Sequence, residues 1–312
     1  MIGIINLLKP AGPTSHDVVN WLRHQLGIRQ IGHLGTLDPG AAGVLPVCVG
    51  PATRLAEYMS GWSKKYRVEM LLGLETDSQD LFGKSLRIFS NCQVTEEQIR
   101  GVLNQMLGVH EQVPPMVSAV KHQGKRLYEL AREGKTVARE SRTIMIQELK
   151  VCGMPTIEPG PRVLFEVNVS KGTYIRTLCA EVGDQLGCGG CMAFLIRTRC
   201  GPFAIEEAWT LEEIKTAVQQ GDTSFLLSPK LGLTDWPVWT VKSEALTQLL
   251  NGASLGAEHF IRSESLDVPP GTMGCLQLPE GELLAVGQVA ESASGQWYCQ
   301  PKKVLVSGNV LR

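Results

Sequence analysis

The chain has 312 residues, 43% of them apolar and 20% charged, with 30 Lys plus Arg against 31 Asp plus Glu for a net charge of −1. That is ordinary globular composition at a mean hydropathy of zero; it excludes a disordered, collagen-like or membrane-embedded chain, and the length predicts two domains. Taken alone, the neutral balance argues mildly against nucleic acid as a partner.

Residues 3–8 form an apolar run stopped by Pro10, Gly12 and Pro13, which predicts a short buried strand. Thr14 or Ser15 can cap a helix running to about Leu26, with Asp17 in its first turn and Val18, Val19, Leu22 and Leu26 facing inward. Residues 27–43 carry six glycines and prolines with little periodicity and read as a long loop, a length more often functional than idle. A strand at 44–49, a short helix at 52–60 and a strand at 65–73 follow. Thr95-Glu96-Glu97-Gln98 fits a capping box opening a helix to about Leu107.

Segment 121–142 is basic, with seven Lys and Arg against three Glu, a local net of +4. A strand is expected at 163–169, a helix at 173–186 stopped by Gly187, a strand at 192–199 and a helix at 211–219. Pro229, Gly232 and Pro237 then mark a linker. From 238 onward a helix at 243–250 precedes short apolar runs broken by Gly and Pro, the pattern of a small β-barrel.

Several chemistries lack their residues. Phe82-Gly83-Lys84-Ser85 is a near miss for a phosphate loop, because Ser78 stands where the first glycine is required. There is no Gly-x-Gly-x-x-Gly after a strand, no Gly-x-Ser-x-Gly elbow and no His-Glu-x-x-His pair. Cys179, Cys188, Cys191 and Cys200 cluster in sequence, yet Cys188-x-x-Cys191 has no second Cys-x-x-Cys, so these read as core thiols and not as zinc ligands. Asp77 and Asp80 read as turn residues before they read as a cation pair. Nine cysteines without a secretory leader, and no run of ~18 apolar residues, lead to the expectation of a reduced, cytoplasmic protein off the membrane.

The loop Gly32-His-Leu-Gly35-Thr-Leu-Asp38-Pro-Gly40-Ala-Ala-Gly43 holds one acid among apolar and small residues. Asp-Pro can simply make a turn, and composition alone favours that. The other reading is a carboxylate in a mostly apolar pocket that a large ligand can approach closely.

Together with Leu8-Lys9-Pro10-x-Gly12-x-Thr14-Ser15-His16-Asp17 before it, this loop resembles the TruB family of tRNA pseudouridine-55 synthases. The likeness continues in order through Lys65-Tyr66-Arg67, Leu72-Gly73-x-x-Thr76-Asp77, Asp80-x-x-Gly83 and Pro114-Pro115-Met116-x-Ser118-Ala119-x-Lys121. It ends with Gly124-Lys125-Arg126-Leu127-Tyr128-Glu129, Ser170-Lys171-Gly172-Thr173-Tyr174-Ile175-Arg176 and Arg197-Thr198-Arg199-x-Gly201-Pro202-Phe203. It covers roughly residues 3–205; the tail resembles the PUA-like appendage of bacterial members only weakly, ending in Pro301-Lys302-Lys303-Val304.

The resemblance implies an α/β (α+β) fold: a mixed, largely antiparallel pseudouridine synthase domain over 1–235 and a small PUA-like, RNA-binding β domain over 236–312. It implies isomerisation of a uridine in the T-loop of tRNA, without metal, nucleotide or redox cofactor. Asp38 then matches the catalytic carboxylate, Arg176 its electrostatic partner with Asp80 as second acid, and Tyr66 the aromatic that stacks on the flipped base. Tyr174 matches a second pocket tyrosine, His33 the residue that fills the space left in the T-loop, and Leu195 a pocket wall. Lys9 and Pro10 match residues that brace the loop. Lys125 and Arg126, in the basic segment with Tyr128, are expected to meet phosphates, so that recognition rests on T-arm shape and backbone charge. The enzyme is expected to work as a monomer without an obligatory protein partner. Val117, Gly40 and Ile196 depart from the family's usual tyrosine, leucine and arginine. The same chemistry on another RNA, with or without a guide RNA, and a tRNA-folding chaperone are the competing readings.

Overall fold

A computed structural model describes residues 1–90, 92–157, 160–261, 268–293 and 295–306. In chain order the strands are β1 (Gly3–Lys9), β2 (Ile31–His33), β3 (Ala42–Val49), β4 (Lys64–Leu72), β5 (Leu74–Thr76), β6 (Ser85–Ile88) and β7 (Gly108–Gln112). Next come β8 (Lys121–His122), β9 (Lys125–Arg126), β10 (Arg142–Gly153), β11 (Thr156–Ile157), β12 (Gly160–Val169), β13 (Gly190–Cys200), β14 (Phe203–Ala204) and β15 (Leu226–Leu227). The last five are β16 (Val238–Thr240), β17 (Leu255–Gly256), β18 (Met273–Gln277), β19 (Leu283–Glu291) and β20 (Trp297–Val304). The helices are α1 (Ser15–Leu26), α2 (Ala56–Met59), α3 (Glu96–Gln105), α4 (Leu127–Arg132), α5 (Ile175–Gln185), α6 (Leu211–Gln219) and α7 (Leu246–Leu250).

Among the described residues, eleven strands make one sheet whose spine runs β15-β1-β3-β13-β4-β12-β10-β7. Its pairings are antiparallel except at β3–β13, where Ile196 and Arg197 lie beside Ala42 and Gly43 in parallel register. β1 is apolar at nearly every position because both its faces are covered. Ile5 and Leu7 enter a core shared with Val18, Val19 and Leu22 of α1 and Ile214 of α6. Ile4, on the other face, packs in a second core with Cys275, Leu283, Val286 and Leu305. That second core joins the main sheet to a C-terminal five-stranded sheet ordered β16-β18-β19-β20-β17. The sequence predicted a small barrel there; just beyond the edge strands β16 and β17 an antiparallel bridge between Val241 and Phe260 links the two, with the Ile261 amide donating to the Thr240 carbonyl and the Lys242 amide to the His259 carbonyl, both at 2.9 Å. Arg262 and Arg312, part of the tail's charge, lie outside the described residues.

Local signals at the helix ends are realised. Thr14 accepts a hydrogen bond from the Asp17 amide while Asp17 bonds back, and α1 ends at Gly27 with φ 64. Thr95 and Gln98 form the expected box on α3. The predicted 229–237 linker is a helical turn, Pro229–Leu233, with Pro229, Gly232 and Leu233 buried.

Several strands were not legible, among them five that shape the main domain. β2 sits inside the predicted loop, its three residues too few to show a period. The hairpin β5–β6 exposes all of β6, and β7 is a polar edge strand, Gly-Val-His-Glu-Gln. β10 is twelve residues long, but register shifts between Ile146 and Glu148 and between Val151 and Gly153 break its alternation.

Candidate active site

The loop between β2 and β3 carries Asp38 over the middle of the sheet, and three buried polar side chains fix its course. Lys9, at the end of β1, donates from Nζ to the carbonyls of Pro10, Pro39 and Ala41 at 2.9, 3.3 and 2.7 Å. Burial lowers its ammonium to about pKa 8, with Asp38 nearby opposing that shift. Ser15 Oγ accepts from the Leu37 amide at 2.9 Å and donates to the Leu37 carbonyl at 3.0 Å. Arg197, fully buried in β13, donates to the carbonyls of Val44 (2.6 Å), Gly35 (3.1 Å) and Thr36 (3.5 Å). A loop that cannot bury its own carbonyls against a helix or strand is thereby satisfied and held.

Asp38 faces Arg176. The carboxylate is 39% exposed and the guanidinium 4%, with Nε to Oδ2 at 2.9 Å and Nη2 to Oδ1 at 3.3 Å. This two-point geometry is the one a planar guanidinium makes with a carboxylate. Arg176 stands in the first turn of α5 and reaches three other segments. It donates to the carbonyls of Ser78 (3.0 Å) and Val117 (2.8 Å), and its Nη1 lies 3.8 Å from Asp80 Oδ2. Asp80 Oδ1 in turn accepts from Ser78 Oγ at 2.6 Å and from the Phe82 amide at 3.0 Å. Asp77 accepts from the Lys84 amide at 2.8 Å, so both acids shape the turn between β5 and β6.

Around the pair lies a cavity of about 810 Å³ lined by His33, Asp38, Tyr66, Tyr174, Arg176, Leu195 and Arg197. Tyr66 on β4 pairs in register with Arg197 on β13, and Leu195 with Val68, so the tyrosine and the leucine stand on one face of adjacent strands. Burial raises the Tyr66 hydroxyl above its ordinary range, while hydrogen bonding from Arg197 pulls the other way. His33 also lines the cavity; burial, then the charges of Arg197 and His16, lower its pKa and favour neutral imidazole. Tyr174 precedes α5, and its backbone is clamped by the buried Gln112 side chain. The Tyr174 amide donates to Gln112 Oε1 at 2.7 Å and Gln112 Nε2 donates to the Tyr174 carbonyl at 3.1 Å.

A second cleft of about 1130 Å³ adjoins the first through Asp38, His33, Thr36, Leu37, Ser118 and Ala119, and continues along Arg126, Tyr128, Arg132 and Lys135. Here the basic segment folds as the hairpin β8–β9 leading into α4. Arg126 lines the cleft, with its guanidinium carbon 5.9 Å from the Tyr128 ring centre. Lys125 does not: it is exposed and paired with Glu133 at 3.2 Å. The two clefts make one continuous depression with an acid–arginine pair at its head and cations along one wall.

Comparison with known proteins decides what such a depression belongs to. The TruB family pseudouridylate synthase N-terminal domain model matches residues 23–175, and the tRNA pseudouridylate synthase B C-terminal domain model matches 176–231. The chain belongs to the TruB family. Relatives named tRNA pseudouridine synthase B include one from Moorella thermoacetica, 47% identical over 305 residues and covering 98% of this chain and 99% of that protein. Another, from Symbiobacterium thermophilum, is 48% identical over 254 residues, 81% of this chain and 82% of its own. Among solved structures, a Cbf5-Nop10-Gar1 complex matches with a TM-score of 0.72 at 29% identity, covering 98% of this chain and 86% of that one. An H/ACA RNP bound to a substrate RNA containing 2′-deoxyuridine matches at 0.70 and 27% identity, over 97% and 85%.

The boundary between the two TruB domain models falls at the start of α5, inside the main sheet's connectivity. In this TruB protein, residues 176–231 therefore complete the sheet and supply Arg176 and Arg197. Sequence reasoning brought Asp38, Arg176, Asp80, Tyr66, Tyr174, His33 and Leu195 to one place. It assigned no role to Arg197 or Gln112. A signal for Arg197 existed, since an arginine between Ile196 and Thr198 on the core-facing period of a strand needs buried acceptors. Gln112, at the end of a polar edge strand, carried none. Of the four cysteines clustered in sequence, Cys179, Cys191 and Cys200 are fully buried and Cys188 nearly so, and burial pushes the Cys191 thiol up to about 11.

Proposed function

We propose that this chain converts uridine 55 in the T-loop of tRNA to pseudouridine, with Asp38 as its catalytic carboxylate. The observation that carries this reading is the two-point pairing of Asp38 with the buried Arg176 at the head of a depression lined by Arg126 and Arg132. The target uridine leaves its stack and enters the cavity beside Tyr66, Tyr174 and Leu195. Arg176 balances the charge of a carboxylate that must be ionised to attack. The N1–C1′ bond breaks, the uracil turns, and a C5–C1′ bond forms while C5 gives up its proton to water and N1 takes one from water. Product and substrate are isomers, so no electrons are gained or lost and no redox cofactor is required.

His33 enters the T-loop in place of the flipped nucleotide, and the basic hairpin meets the phosphate backbone of the T-arm. The reading extends to action as a monomer without an obligatory protein partner. The catalytic unit spans 1–235, and residues 236–312 form a PUA-like unit for further RNA contact. Nine free cysteines favour a reducing compartment, the cytoplasm.

The test is release of tritium from tRNA carrying 5-tritiated uridine, together with pseudouridine mapping in tRNA from cells lacking the protein. Asp38→Asn should abolish release while binding tRNA nearly as well as the unaltered chain. Normal turnover by that variant overturns the role of Asp38. Retention of pseudouridine at position 55 in the deletion strain overturns the target.

A further inference from the structure

Phe82 is 78% exposed, the most exposed of the large apolar side chains of the described residues. It stands in the turn between β5 and β6, whose backbone is held by hydrogen bonds. The Phe82 amide donates to Asp80 Oδ1 at 3.0 Å, the Leu81 amide to the Met192 carbonyl at 3.2 Å, and Thr76 Oγ1 to the Asp80 carbonyl at 2.7 Å. Through Asp80 this turn is tied to Arg176, and through Arg176 to Asp38.

The ring lies over Gly40, two residues after Asp38. A Cβ at Gly40 would overlap Cε2 of the ring and come within 2.8 Å of Cζ. Gly40 does not adopt a positive φ, so its backbone gives no reason for glycine; the space taken by the phenyl group does.

A phenyl group carried on a hydrogen-bonded turn and left in solvent costs apolar hydration and contributes nothing to either core. What would repay it is a flat apolar partner arriving with the substrate. Flipping one nucleotide leaves its neighbours with exposed base faces, and a base stacks on an aromatic ring irrespective of its identity. Asp77, in the same turn as Phe82, and Pro39, next to the Gly40 that the ring covers, line the same cleft as Arg126, Arg132 and Lys135, so a polyanion drawn along that wall passes this ring. We propose that Phe82 is a substrate-binding residue, whose ring stacks on a nucleobase adjoining the flipped uridine. This rests on the assignment of the Asp38 depression as the RNA site.

The experiment compares Phe82→Ala, Phe82→Leu and Phe82→Trp in tRNA binding and in steady-state tritium release, with Asp38→Asn run alongside. Stacking predicts a rise in Kd and KM for tRNA of about 5- to 150-fold in the Ala and Leu variants, near-normal values for Trp, and kcat little changed in all three. Melting temperatures near that of the unaltered chain, expected for an exposed ring, separate this from misfolding. Ala and Leu variants with unaltered Kd and KM overturn the proposal, as does a Leu variant that binds as well as Trp. An active Asp38→Asn protein would instead overturn the site itself, which makes the two failures distinguishable.

Discussion

Gly43 and Arg197 face each other where the chain makes the parallel pairing of β3 with β13, and no side chain fits between them. A Cβ on Gly43 would come within 2.6 Å of the Arg197 amide nitrogen and closer still to its carbonyl oxygen, and Gly43 has φ 114. The same arginine holds Gly35, Thr36 and Val44, so the contact sets the height of the Asp38 loop above the sheet.

Gly43→Ala should therefore displace the loop and not merely strain it. Positive φ and overpacking together cost about 2–4 kcal/mol. The expected outcome is a lowered melting temperature with tritium release reduced more than tRNA binding. Unchanged stability would mean that β3 can shift away from β13 at no cost.

The buried guanidinium of Arg197 gives a second prediction. Arg197→Met keeps much of the volume but removes the donors to three carbonyls and one partner of the Tyr66 hydroxyl. Orphaned buried acceptors cost about 1–3 kcal/mol each where water cannot reach them. The variant should melt lower and lose kcat, and Arg197→Lys should recover little, because one ammonium cannot span the same acceptors. Equal kcat in the Met variant would show that the loop is held by Lys9 and Ser15 alone.

These two positions show where the sequence was readable and where it was not. Asp38, Tyr66 and Arg176 sit in ordered motifs whose family resemblance is enough to bring them to one site. The helix ends were legible because Thr14 with Asp17, and Thr95 with Gln98, are local interactions. Arg197 and Gln112 act on segments 62 to 162 residues away, and nothing within a few residues of either records the partner. β10 was hidden for a related reason: two register shifts interrupt its period, and β12 opposite, not its own pattern, makes it a strand.

Arg176→Lys isolates the two-point pairing. A lysine can meet Asp38 but cannot also reach the Ser78 and Val117 carbonyls with fixed geometry. If Asp38 is the proposed catalytic carboxylate, loss of its oriented charge partner should lower kcat by about 10²–10³-fold with tRNA affinity little altered. Single-turnover tritium release on saturating tRNA measures this, and a drop confined to KM would place Arg176 in binding instead.

Lys9 makes the fold pH-dependent in a stated direction. Its pKa falls from 10.5 to about 8 on folding, because burial disfavours the ammonium. Between those values the unfolded chain holds more protons, so stability contributed by this residue rises as pH goes from about 8 to about 10.5 and is flat below. Denaturant titrations of the unaltered chain and Lys9→Met over that range, taken as a difference, cancel the other groups. The difference should move toward the unaltered chain with rising pH. Over the same window Nζ has one fewer proton for its three carbonyls, so kcat should decline while stability climbs. A flat difference would mean that Lys9 titrates as an exposed lysine does.

Two neighbouring cations, finally, should not be equivalent. Arg126 lines the cleft, whereas Lys125 does not line it and is engaged by Glu133. Each phosphate contact to single-stranded RNA contributes about 0.7 to the slope of log affinity against log salt. Arg126→Ala should reduce that slope by about this amount, and Lys125→Ala by less, because its partner competes for the charge. With a chain of net charge −1, long-range attraction is weak and the slope reports these local contacts directly. Equal reductions would put both side chains on the RNA; no reduction from either would move the phosphate track off this hairpin.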